Sequence, residues 1–201
     1  MNILDKIGGL FIKPEETIKM LVHGAGSLQE AFFVLLGFSI ATWISIAINI
    51  VRLARTFMEI IPINIAPLFH HIVTPAIIGF IIMVGVAIDI VDLLLGGFII
   101  HAVASLLEGA GDIKQLFMVY GYTKVTRVFL LLGSLIMAFT IIGGILVTLV
   151  LVLVGWVWYL YLLTMGVSES YGLSMGQALV AAISWSVVKL LLGVVFPGMF
   201  I

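Results

Sequence analysis

From Val128 to Ser168 the chain runs 41 residues without a charged side chain. As a single helix rising about 1.5 Å per residue, that run would be roughly 60 Å long, about twice the hydrocarbon core of a bilayer. It therefore reads as two membrane spans. Gly143-Gly144 is the natural hinge, which sets the spans at about 120–142 and 145–166. Composition agrees: 63% of the 201 residues are apolar and 9% are charged, where soluble domains have about 45–50% and about 25%. A soluble domain of this size leaves much of its surface in water, so a soluble globular enzyme, a disordered tail and a coiled coil are all excluded. The expected fold is all-α, a polytopic integral membrane protein of one domain.

Three more spans follow from the spacing of charges. Glu30 and Arg52 bracket a charge-free stretch over 31–51, preceded by Ser27 and Glu30 in the spacing of a capping box. The next long run, after Glu59, contains Pro62, Pro67 and Pro75, which break helix. The second span is therefore expected over about 75–101, with Asp89 and Asp92 inside it. The sequence leaves open whether residues 93–107 continue that helix or break at Gly96-Gly97. Glu108 to Gln115 reads as a loop that ends in Asp112 as a helix cap with Gln115 as its partner. Ser174 and Gln177 repeat the capping pattern before a last span over 175–196, which Pro197-Gly198 ends.

Five transmembrane helices place the termini on opposite sides. With the N-terminus cytoplasmic, the inner segments hold Lys6, Lys13, Lys19, Lys114, Lys124 and Arg127, and the outer side holds Arg52 and Arg55. The positive-inside rule thus predicts a cytoplasmic N-terminus and a C-terminus outside. The first apolar patch is stopped by Lys13-Pro14-Glu15-Glu16, too early for a secretory signal, so the N-terminus is expected to be retained. Ile3, Leu4, Ile7, Leu10 and Phe11 recur at helical spacing beside Lys6 and Lys13, the pattern of a helix lying in the inner interface. A second short helix is expected from Pro14, with Glu15, Glu16 and Lys19 facing water. Residues 1–26 are accordingly an interfacial or cytoplasmic amphipathic segment, and 27–201 the five-helix membrane domain.

Asp89 and Asp92 are the most informative polar residues. Three apart, they share a helix face with Gly85 and Gly96. Carboxylates at membrane depth face a bundle interior or a wet cavity. They read either as an ion- or proton-linked site, joined by His101 and Lys189, or as a structural polar network. Lys189 is the basic residue well inside a span, and a Lys189–Asp89 pair that locks the last span to the second stands beside simple snorkelling of Lys189 to the interface. Thr42, Ser45 and Asn49 line one face of the first span, where packing against other helices is the expected role. Trp156, Trp158, Tyr159 and Tyr161 fit an interfacial belt or plain packing. His70-His71 lacks metal-ligand spacing and no cysteine is present, so neither a metal nor another cofactor is expected. A net charge of −1 makes no case for nucleic acid. No catalytic template fits. Asp89-x-x-Asp92 shares its spacing with the aspartate-rich motif of CDP-alcohol phosphotransferases, but the rest of that motif is missing. An aspartyl intramembrane protease needs its two Asp on facing spans, and here both lie on one. No internal repeat is visible.

The middle of the chain is more specific. Ile99-Ile100-His101-Ala102-Val103 leads to Gly109-Ala110-Gly111-Asp112-Ile113-Lys114-Gln115, then Tyr120-Gly121-Tyr122-Thr123. Two hydrophobic spans and Gly172-Leu173-Ser174 follow, and Lys13-Pro14-Glu15-Glu16-Thr17 stands at the start. In order and spacing this resembles the Yip1 domain family in its prokaryotic form, over about residues 10–196. The resemblance implies five spans with a cytoplasmic N-terminus and no enzymatic activity. Eukaryotic members bind Rab GTPases in vesicle traffic. Their Asp-Leu-Tyr-Gly-Pro motif is missing from the first span here, which points instead to a prokaryotic plasma membrane. The first expectation is therefore a non-enzymatic protein that binds a cytoplasmic partner or organises lipid, with Glu108, Asp112, Lys114 and Gln115 on its partner-facing loop. The alternative is a small secondary transporter or channel subunit using Asp89, Asp92 and His101, and a membrane-embedded enzyme is a third reading. Small-residue faces suit contact with the lipid bilayer's other occupants, a second copy included, so a homo-oligomer stays open.

Overall fold

The structure is a computed structural model and describes residues 2–60, 74–137 and 139–195. The loop at Pro62 and Pro67, His70-His71 and the Pro197-Gly198 stop lie outside the described residues. Among the described residues all regular structure is helical. Helix α1 (Ile3–Ile12) starts at a capping box, Asn2 accepting from the Asp5 N–H at 2.8 Å and Asp5 from the Asn2 N–H at 3.1 Å. Helix α2 (Pro14–Met20) begins at a proline, whose missing N–H costs nothing in a first turn. A π-turn over Leu21–Ala25 closes the segment at Gly24, whose φ of 121° suits a residue without Cβ.

The five helices long and apolar enough to cross a membrane follow, and they overrun the charge-free stretches. Helix α3 spans Leu28–Ile60 and α4 spans Thr74–Leu106, unbroken at Gly96-Gly97. The third span begins at Ile113, about seven residues before the start the charge pattern indicates. It comprises α5 (Ile113–Thr123), a 3-10 turn (Lys124–Arg127) and α6 (Val128–Met137). Helix α7 covers Ile141–Tyr171 and α8 covers Met175–Val195. Three caps were legible beforehand. Ser174 and Gln177 form the full reciprocal box, at 3.1 and 3.4 Å. Ser27 caps the Glu30 N–H at 3.1 Å, but the Glu30 carboxylate is drawn elsewhere. Asp112 caps the Lys114 N–H at 2.9 Å, while Gln115 reaches the Val22 carbonyl instead of closing a box.

Gly143-Gly144 is not the hinge. The chain turns at Phe139 and Thr140, and both glycines lie inside α7. Gly144 is needed because the Met137 backbone presses on it, where a Cβ would clash.

The chain divides into two compact units. The first comprises Met1–Leu35, Val91–Val125 and Val157–Ile201. Its core is aliphatic and aromatic: Leu10, Leu35, Ile100, Tyr120, Leu163 and Trp185 are all buried. The second comprises Leu36–Ile90 and Thr126–Trp156. Apart from Val51 its buried residues are small or polar, among them Ser39, Thr42, Ala47, Asp89 and Ser134, while Ile48, Phe80, Leu146 and Leu153 face outward. That inversion is what lipid demands. Hydrocarbon solvates apolar side chains as well as a core does, so close packing and hydrogen bonds, not apolar burial, hold the helices together.

Candidate functional site

In the first unit, Asp92 of α4 collects four donors. Lys124 Nζ lies 2.6 Å and the Tyr120 hydroxyl 2.9 Å from Oδ2. Trp185 Nε1 lies 2.8 Å and Lys189 Nζ 3.0 Å from Oδ1. Lys124 also stands over the Tyr120 ring, 4.8 Å from its centroid, and Lys189 over Trp185, at 5.4 Å. The two lysines differ in surroundings: the Lys124 side chain is 8% exposed and that of Lys189 40%. Gly96, one turn beyond Asp92, makes room for this arrangement. A Cβ there would lie 2.7 Å from both the Trp185 ring and the Tyr120 hydroxyl.

In the second unit, Asp89 is paired differently. Both terminal guanidinium nitrogens of Arg127, Nη1 and Nη2, donate to its two oxygens, a bidentate fork. Ser39 donates to Oδ2 at 2.5 Å and Trp43 Nε1 at 2.8 Å. Gly85, one turn before Asp89, lies under the Trp43 ring with no space for a side chain. Each carboxylate thus has an indole N–H, a hydroxyl, at least one cation, and a glycine one turn away that admits the indole.

These contacts revise three expectations. Lys189 pairs with Asp92, and Asp89 takes Arg127 in the place proposed for Lys189. His101 joins neither carboxylate; its Nδ1 lies 2.6 Å from the Tyr171 hydroxyl. Lys124 and Arg127, counted with the inner charges although the expected span of 120–142 already held them, lie well inside the third span. Arg52 and Arg55 likewise fall in the last turn of the first span, so the count outside the spans rests on Lys6, Lys13 and Lys19, with Lys114 at the start of the third span, and keeps its sign. Sequence reading missed Lys124, Arg127, Tyr120, Trp43 and Trp185 as carboxylate partners. The available signal was two cations three apart, matching two carboxylates three apart. In a 3-10 turn, residues i and i+3 eclipse, so the Lys124–Arg127 turn projects both cations the same way.

The remaining candidates have packing environments. Asn49 Nδ2 donates to Ser134 Oγ at 2.6 Å and to the Ser45 carbonyl at 3.0 Å, and Ser45 Oγ lies 2.5 Å from Ser134 Oγ. Thr42 is buried, its hydroxyl without a hydrogen-bond partner among the described residues. The loop over 108–112, with Lys114 and Gln115 in the first turn of α5, is clamped to the end of α7. The Ala110 N–H bonds the Tyr171 carbonyl at 3.2 Å, and a Cβ on Gly109 would come within 2.9 Å of Tyr171. Glu108, at a φ of 66°, Asp112 and Lys114 are left exposed, and Gln115 is half-buried. At the N-terminus, Lys6 is buried against Glu30, which also accepts from the Tyr122 hydroxyl at 2.9 Å. His23 Nε2 lies 2.7 Å from Glu169. On the exposed face of α2 the hydrogen bond from Lys19 to Glu15, at 2.9 Å, holds that ammonium above the usual lysine range. Among the described residues no group of three or more His, Asp and Glu is arranged to hold a metal.

The family model of the Yip1 domain matches residues 8–196. Comparison with curated proteins and with solved structures gives no match. With nearly its whole length inside that match and five helices able to cross a bilayer, this multi-pass membrane protein belongs to the Yip1 domain family.

Proposed function

We propose that the chain is a non-enzymatic membrane scaffold of a prokaryotic plasma membrane, with a cytoplasmic N-terminus, which binds a cytoplasmic partner or organises lipid. Its partner-facing side is the exposed part of the 108–115 loop together with α1 and α2. The observation that carries this reading is the saturation of both intramembrane carboxylates. Asp89 and Asp92 each accept hydrogen bonds from three side chains or more within the chain. A carboxylate held this way suits a structural lock and is poorly placed to exchange ions. Helix α1 supports the same reading. Its Lys6 and Leu10 face the protein, while Leu4 and Ile12 are 72% and 80% exposed on the far side. An apolar face left open beside the start of a span suits the headgroup region.

One observation favours a transporter instead. Lys189, bonded to Asp92, is 40% exposed, so that pair has a way out to its surroundings. The deciding experiment is a double-mutant cycle on Asp89 and Arg127 in lipid nanodiscs, read by thermal unfolding, with wild type and Asp92→Asn assayed for proton flux in proteoliposomes. Breaking a buried pair costs about 3–5 kcal/mol. Arg127→Met is expected to fall in that range, with part of the loss restored by Asp89→Asn in the same chain. Additive single effects would remove the lock. A proton flux in wild type that Asp92→Asn abolishes would replace the scaffold with the transporter.

A further inference from the structure

Asp89 and Asp92 meet three cations between them. Arg127 forks onto Asp89 in the second unit, and Lys124 and Lys189 share Asp92 in the first. Three positive charges against two negative ones leave one over, however the pairs divide. In hydrocarbon an unbalanced charge is costly, because no solvent answers it. Exposure shows where it comes out: the side chain of Lys124 is 8% exposed, that of Arg127 20% and that of Lys189 40%. Lys189 also lies farther from Asp92, at 3.0 Å against 2.6 Å for Lys124. Its surroundings on α8 face outward: Val187, Leu190 and Leu191 are exposed beside it. Lys189 stands fourteen residues after Met175 and six before Val195, which places it about 9 Å from the C-terminal end of α8.

An ammonium has three N–H donors, and Asp92 takes one of those of Lys189. Trp185 covers another side, its ring centroid 5.4 Å away. The exposed side keeps a donor and the surplus charge. The anion that a bilayer itself supplies is phosphate, and headgroups follow a charged side chain inward by local thinning. We propose that Lys189 binds the phosphate of an anionic phospholipid in the leaflet at the C-terminal end of α8. A zwitterionic headgroup brings its own cation with the phosphate, whereas an anionic lipid cancels the charge left over. This deepens the lipid-organising side of the scaffold reading, and rests on that reading in treating Asp92 as a fixed partner and not a site of proton exchange. The two fail separately: proton flux overturns the scaffold, and lipid retention overturns the site.

The test is native mass spectrometry of the full chain released from nanodiscs holding equal phosphatidylglycerol and phosphatidylcholine. Wild type is expected to retain phosphatidylglycerol in excess. Lys189→Gln is expected to lower that excess about fivefold, as for one basic residue at an anionic membrane surface. Lys189→Arg is expected to keep most of it. Asp92→Asn leaves two positive charges over in place of one and is expected to raise the excess, with melting in nanodiscs confirming that each variant is folded. Equal retention of the two lipids by wild type would overturn the proposal. So would an excess unchanged by Lys189→Gln in a folded protein. An excess that appears only in Asp92→Asn would show that the carboxylate already satisfies Lys189, with the same consequence. Inorganic phosphate in the buffer is expected to leave the excess as it is in chloride of equal ionic strength; loss of the excess in phosphate alone would make a free anion the occupant and overturn the lipid.

Discussion

Asp89 and Asp92 differ by three positions and by the chemistry of their cations. A guanidinium presents a planar fork that fits both carboxylate oxygens at once, whereas an ammonium is a point donor. Asp89 has the fork, and Asp92 has two point donors, one on each oxygen. Arg127→Lys is therefore not conservative: it should destabilise the protein in nanodiscs by about 1–3 kcal/mol, because one buried oxygen loses its charged donor. The glycines give a sharper contrast. Gly96→Ala forces Trp185 and Tyr120 off Asp92 and should cost about 1–3 kcal/mol of overpacking. Gly37→Ala, in α3 with nothing within 4 Å of its Cβ position, should gain about 0.5–1 kcal/mol from helix propensity. Thermal unfolding of the two variants side by side checks both signs; equal effects would mean that Gly96 is not a packing position.

At the scale of elements, short-range signals did the most. Asn2, Ser174 and Asp112 are caps because each places a side-chain acceptor over the unpaired N–H groups of a first turn, a relation confined to four residues. The same logic failed where a distant partner competed. The Glu30 side chain leaves its own cap for Lys6 and Tyr122, and Gln115 leaves Asp112 for the Val22 carbonyl. Those departures fasten the N-terminal helices to the first unit. Lys6→Met should therefore loosen α1, raising the hydrogen exchange of its amides by about tenfold, less than for a fully buried pair because the Glu30 side chain is partly exposed. The amides of α8 should stay protected in the same sample. Equal loosening of α8 would mean that Lys6 supports the whole first unit and not the docking of one helix.

For the whole molecule, topology is the property at stake. Lys6, Lys13, Lys19 and Lys114, all on the side of the N-terminus, predict that a reporter fused at residue 1 stays cytoplasmic and one fused at residue 201 reaches the outside. Lys13, Lys19 and Lys114 are exposed and Lys6 is buried, so substituting the three exposed lysines together should weaken the orientation without disturbing the Lys6–Glu30 pair. Reporter activity on the opposite sides would reverse the proposed placement of the 108–115 loop.

The all-helical fold, the number of helices able to cross a membrane and most caps were determined by the sequence alone. Each depends on a quantity read along the chain: the length of a charge-free run against the thickness of hydrocarbon, or an acceptor three residues before a turn. Membership of the Yip1 domain family was legible for a similar reason, since it rests on short motifs in a fixed order. Which cation meets which carboxylate was decided only in three dimensions. Helical phase and the 3-10 turn set the direction of Lys124 and Arg127. Close approach at Gly85 and Gly96 lets Trp43 and Trp185 reach their acceptors. An intramembrane charge has to be satisfied by whatever packing brings within about 3 Å of it, and partners as many as 97 residues away leave no trace in local spacing.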